Sequence, residues 1–92
     1  MDIQKQENET KGSYYIEENG QRLAEMTFSK AGTDRIIIDH TEVSDQLRGQ
    51  GAGEAMVKQA VEDARAGGYS IIPLCAFALS VFQKTPAYKD VL

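Results

Sequence analysis

Leu47-Arg48-Gly49-Gln50-Gly51-Ala52-Gly53-Glu54-Ala55 places three alternate glycines directly ahead of a run with helical apolar spacing. Glycine lets backbone amides turn inward with no side chain in the way, and a helix leaves its first amides unpaired. The two together describe a seat for an anion. A phosphate there meets several N–H donors and the positive end of a helix dipole, the dipole alone contributing roughly 0.3 to 1 kcal/mol. Two better-known phosphate loops do not fit the spacing. A P-loop needs a lysine after its last glycine, and Glu54 follows Gly53. The dinucleotide fingerprint needs its third glycine three residues after the second, and its ribose-binding acid about twenty residues on; here the third glycine comes two residues after Gly51, and Pro73 stands near the acid's position.

Downstream, apolar residues at 52, 55, 56, 60, 61 and 64 mark one face of a helix that Gly67-Gly68 closes. Tyr69 to Leu74 reads as a strand and Ala76 to Lys84 as a second, shorter helix, stopped ahead of Pro86. Upstream, Tyr14 and Ile16 lead to Asn19-Gly20, a strong hairpin signal, after which Ala24, Met26 and Phe28 alternate with polar residues. A third strand, isoleucine-rich, runs from Arg35 to Thr41. A helix between that strand and the next makes a right-handed β-α-β crossover with the two strands parallel. The expected fold is α/β (α+β), an antiparallel β-meander followed by a β-α-β crossover and a short C-terminal helix.

The length of 92 residues makes one domain, expected over 13–92 behind a flexible N-terminal tail at 1–12. A net charge of -4 with no cluster of Lys or Arg argues against a nucleic-acid partner. The longest apolar run, Ile71 to Phe82, is too short to cross a bilayer, so no membrane partner is expected. The N-terminus has no apolar signal segment and the chain has one cysteine, which together point to a reducing cytoplasm. One His and one Cys are too few for a structural zinc site, and no metal is expected.

The pattern Arg48-x-x-Gly51-x-Gly53 resembles the pyrophosphate-binding signature of the GNAT superfamily of N-acetyltransferases. His40-Thr41-Glu42-Val43 before it, with Pro73-Leu74-Cys75 and Thr85-Pro86-Ala87-Tyr88 after it, resemble the small single-domain branch of that superfamily. The likeness spans residues 36 to 90. It implies a coenzyme, acetyl-CoA or CoA, whose pyrophosphate lies on the backbone amides of Arg48, Gly49, Gln50, Gly51, Ala52 and Gly53. It also implies a pantetheine arm in a gap between two splaying parallel strands, beside Glu42 and paired with the backbone of Val43. The implied activity is transfer of acetyl from acetyl-CoA to an unidentified amine; the alternative is a sensor or partner module that holds acetyl-CoA without turnover.

Typical members add helices between the first two strands and two strands at the C-terminus, parts that build much of the acceptor site. Here Asn19-Gly20 closes a hairpin instead. Many members use a tyrosine on the last core helix to reprotonate the departing thiolate, whereas Ala76 to Lys84 offers Ser80 as its one hydroxyl. Two residues are candidates for catalysis. Cys75 follows a strand end at the start of a helix, where the dipole favours a thiolate. His40, on the same strand face as Glu42, is the candidate base for an amine or for the Cys75 thiol.

Overall fold

The computed structural model describes residues 1–92. Strands β1 (Gln4–Glu7), β2 (Lys11–Glu18), β3 (Gln21–Lys30) and β4 (Arg35–Val43) form an antiparallel meander. Helix α1 (Ala52–Gly67) then crosses to β5 (Ser70–Pro73), which lies parallel to β4, and helix α2 (Ala76–Lys84) follows. The five strands stand in chain order across one open sheet. Short 3-10 turns at Asp45–Leu47 and Pro86–Val91 complete the chain.

The local causes are the expected ones. Asn19 and Gly20 both take positive φ, 52° and 76°, and so make the tight β2–β3 turn. Gly68, at φ 72°, ends α1 in the left-handed conformation, and its amide and that of Tyr69 return to the carbonyl of Ala64.

One apolar cluster joins the sheet to both helices. Ile16, Met26, Phe28, Ile38 and Ile71 supply the sheet side; Met56, Val57 and Val61 from α1 and Val81 and Phe82 from α2 supply the other. Burial of each large side chain contributes roughly 1.5 to 3 kcal/mol. Both helices therefore lie on one face of the sheet and leave its other face uncovered. Strand pairing sorts the residues between the faces: Lys5, Tyr14, Met26 and Thr41 stand in one row on the helix side. On the uncovered side stand the rows Gln6, Ser13, Thr27, His40 and Gln4, Tyr15, Glu25, Glu42.

Residues 1–12, expected to be a flexible tail, instead contain β1 and the start of β2. The Asn8 side chain accepts from the amides of Thr10 and Lys11, both at 2.9 Å, and this turn folds β1 back onto β2. Lys5 then reaches Asp63 on α1 at 3.4 Å and lies 5.4 Å from the centre of the Tyr14 ring. Asp63 also accepts from the Tyr14 hydroxyl at 2.6 Å and from Gln59 at 3.2 Å. Burial by itself would raise the Asp63 carboxyl, but the hydrogen bonds from Tyr14, Gln59 and Lys5 outweigh it and hold the group below its ordinary value. Burial and the neighbouring carboxylate push the Tyr14 hydroxyl far above its ordinary value.

Candidate active site

The two parallel strands are paired along only half of β4. Arg35 to Ile38 stand opposite Ser70 to Pro73; beyond that point the amides of Leu74 and Cys75 both donate to the carbonyl of Ile38, each at 3.1 Å, and the chain turns into α2. Asp39 to Val43 keep β3 on one side and have no strand on the other. A gap opens there. The amide of Ser44 donates to Leu23 on β3, so by alternation Glu42 turns its backbone to β3 while Thr41 and Val43 turn theirs to the gap. Val43 thus stands where a backbone partner was expected, with its side chain 40% exposed; Glu42 offers the gap no backbone groups.

A β-bulge sits at the mouth of this gap. Thr27 pairs with His40 and Phe28 with Ile38, so Asp39 is an extra residue on β4. The bulge reverses the phase of the strand. Ile36 and Ile38 face the helices, yet after Asp39 it is Thr41 that does so, while His40 and Glu42 face the uncovered side. Thr41 Oγ1 lies 3.3 Å from Cys75 Sγ. Cys75 caps α2, its sulfur also accepting from the Ala78 amide at 3.5 Å, so two groups converge on Sγ and fix its direction. The expected pairing of His40 with Cys75 is not formed. His40 Nε2 lies 3.0 Å from Glu42 Oε1 on the opposite face. Thr41 had no chemical signal in the sequence; only the bulge gives it this place.

Of the loop amides from Arg48 to Gly53, some are engaged within the protein and others are free. A 3-10 turn capped by Ser44 precedes the loop, and as a result the Arg48 amide donates to Asp45 and the Gln50 amide to Leu47, each at 3.1 Å. Those two donors are taken. The amides of Gly49, Gly51, Ala52, Gly53 and Glu54 have no partner within the protein. Gly49 and Gly51 adopt φ 78° and 73°, and a Cβ at Gly49 would meet nothing within 4 Å. The loop is open to a ligand on its outer side. Gly53 has a different cause: a Cβ there would come within 2.4 Å of the Phe77 ring, so the glycine lets α1 and α2 meet. The Arg48 side chain is exposed and held by Asp45 at 2.7 Å.

On α2, the Ser80 hydroxyl donates to the Phe77 carbonyl at 2.6 Å, and Tyr88 lies beyond the helix with its ring against Phe82. Neither is placed at the gap by a contact with Thr41 or Cys75. No helix is long and apolar enough to cross a membrane.

An open sheet with a crossover helix, a gap between its parallel strands and a glycine loop at the helix start defines an acyltransferase fold of the GNAT class. The sequence profile of the GCN5-related N-acetyl-transferase family matches residues 13–91, and the chain belongs to that family. A GCN5-like protein from Staphylococcus aureus is similar in structure, with a TM-score of 0.74 and 40% identity over 98% of this chain and 85% of that one. The fold is shared with a ribosomal-protein-alanine N-acetyltransferase from Brucella melitensis (TM-score 0.68, 14% identity), covering 84% of this chain and 62% of that one. It is shared as well with an IAA acetyltransferase from Bacillus cereus (TM-score 0.62, 21% identity), covering 82% and 53%. Both of those chains are longer, and this one spans little more than half of each. Comparison with curated proteins gave no match.

Proposed function

We propose that this protein binds acetyl-CoA in the gap beside Val43 and acts as an N-acetyltransferase. The observation that carries the reading is the set of free amides at Gly49, Gly51, Ala52, Gly53 and Glu54, together with a strand edge left open at Thr41 and Val43, the end of β4 that leads into the loop. Bare amides at a helix start suit a pyrophosphate, and an open strand edge suits the amide groups of a pantetheine arm. When bound, acetyl-CoA supplies an activated acetyl thioester. The chain's own residues do the rest. Thr41 and Ala78 aim Cys75 Sγ, which makes that thiol the candidate acyl acceptor on the protein. His40, oriented by Glu42, is the candidate base for an incoming amine.

The coenzyme reading is tested by following backbone amide shifts while acetyl-CoA is added. Thr41, Val43, Gly49 and residues 51–54 should move, with Arg48 and Gln50 moving less. Silence at those positions refutes the reading. Mass spectrometry after incubation with acetyl-CoA addresses the thiol: an acetyl adduct that disappears in Cys75→Ser assigns it to Sγ. Binding with neither adduct nor release of free coenzyme over a broad amine panel would mark a module that holds acetyl-CoA without turnover.

A further inference from the structure

The helix side of the gap is occupied by α1, α2, Thr41 and Cys75, so an acceptor reaches it from the uncovered face of the sheet. The two lips of the gap differ on that face. On the β4 side the exposed residues are polar: Asp39, His40 and Glu42. On the β5 side they are aliphatic. Ile71 is buried among the helices, so by alternation Ile72 and Leu74 turn to the uncovered face, while Cys75 turns back to meet Thr41. Ile37, between the buried Ile36 and Ile38, is the strand partner of Ile72 and stands beside it on the same face. Paired residues lie about 4.8 Å apart and successive outward residues of a strand about 6.6 Å, so Ile37, Ile72 and Leu74 adjoin. Leu74 is the most exposed large apolar side chain of the protein, at 68%. Its backbone is nonetheless fixed, with the amide donating to Ile38 at 3.1 Å and Cys75 next to it capping α2.

A carboxylate borders this patch. Asp39 follows Ile38, the partner of Pro73, and so comes level with Leu74 across the gap. Its one hydrogen-bond partner is the Ser29 hydroxyl at 2.7 Å, and no Lys or Arg pairs with it. On the side away from β5 the charge changes sign. Lys11, the partner of Ser29 on β2, lines the same cavity of about 450 Å³ as Asp39, so a second positive charge extending that way meets a like charge. Towards β5 the outward residues are Ser70, Ile72 and Leu74, and none is charged. Single exposed aliphatic side chains are ordinary. Three adjoining ones beside a carboxylate without a cationic partner, at the mouth of the gap, fit one kind of ligand: a single cation with an apolar tail.

We propose that the acceptor is a primary amine carried on an apolar chain, its ammonium against Asp39 and His40 and its chain lying over Ile37, Ile72 and Leu74. The inference rests on the acetyltransferase reading and names its substrate class. His40 takes one proton from the ammonium. The freed amine forms a C–N bond to the acetyl carbon as the C–S bond breaks, and the departing thiolate takes the second nitrogen proton. The products are the acetamide, the free thiol and the proton on His40, which passes to water.

The test compares kcat/KM with acetyl-CoA for ethylamine, butylamine, pentylamine and hexylamine, in which the chain lengthens and the ammonium does not change. Each methylene that the patch covers should raise kcat/KM roughly two- to fourfold, giving at least tenfold from ethylamine to hexylamine. 1,4-Diaminobutane, as long as pentylamine but charged at both ends, should be the poorer substrate of those two. Leu74→Ser and Ile72→Thr should each cut the hexylamine-to-ethylamine ratio several-fold and leave acetyl-CoA affinity unchanged. Asp39→Asn should lower kcat/KM for every amine several-fold and keep the ratio. Hexylamine acetylated no faster than ethylamine overturns the proposal, as does a preference for diaminobutane over pentylamine or a wild-type ratio in both aliphatic variants. Faster transfer to a lysine-containing peptide than to hexylamine also overturns it, in favour of a protein acceptor. Coenzyme binding with no transfer to any amine of the series refutes this inference alone; absence of coenzyme binding refutes the acetyltransferase reading.

Discussion

The two halves of β4 differ in every physical respect. From Arg35 to Ile38 the strand has neighbours on both sides, and Ile36 and Ile38 are buried. From Asp39 to Val43 one edge is open and most side chains are exposed. The first half contributes stability, and the second is the half to which the proposed function assigns the chemistry. One inserted residue, Asp39, marks the border, since it coincides with the end of pairing to β5 and exchanges the faces that the later side chains take.

That contrast can be broken by mutation. The largest expected effect is Ile38→Ala, which empties a fully buried site and should cost about 2 to 5 kcal/mol in chemical denaturation, whereas Val43→Ala should stay within about 0.5 kcal/mol. Equal costs would mean that the two halves are not energetically distinct. Gly53→Ala should cost about 1 to 3 kcal/mol by driving a methyl into the Phe77 ring, and a second change, Phe77→Leu, should recover part of it. If Gly53→Ala is neutral, the close helix contact is not the reason for that glycine. Asp63→Ala should cost about 1 to 3 kcal/mol because the Tyr14 hydroxyl loses its acceptor. Asp63 titrates lower in the folded chain than in the unfolded one, so its contribution is present above the ordinary carboxyl value and is lost as pH falls through the folded one. The stability gap between wild type and Asp63→Asn should accordingly close in acid, as read from denaturation midpoints between about pH 6 and pH 2, either side of the ordinary Asp value. The smallest effect belongs to the open half: His40→Ala should leave stability within about 0.5 kcal/mol while slowing acetyl transfer roughly 10²- to 10⁴-fold. Unchanged transfer would remove His40 from the chemistry.

Much of the fold is legible in the sequence because its signals are local. Asn19-Gly20, the helical spacing after Gly51, Gly68 and Pro86 each act within a few residues of themselves. β1 is not legible, since Gln4-Lys5-Gln6-Glu7 has no apolar alternation and is held by pairing with β2 and by Lys5 across the sheet edge. The site divides in the same way. The glycine run announces a loop of free amides, but the 3-10 turn that consumes the Arg48 and Gln50 amides depends on Ser44 and Asp45 rather than on any glycine. Simple alternation from Ile36 and Ile38 would place His40 and Glu42 towards the helices and Thr41 outward. The bulge inverts this, and nothing in Ile38-Asp39-His40 declares it. Gly53 reads as one more phosphate glycine until Phe77, twenty-four positions later, is seen against it.

Gly51→Val cannot serve as a clean probe of ligand binding. Its φ of 73° disfavours a β-branched residue by itself, at roughly 1 to 2 kcal/mol. Lost affinity in that variant would therefore mix a strained hinge with an obstructed seat. A D-alanine at the same position, introduced by chemical synthesis, accepts that dihedral without strain and would report on access to the amides alone.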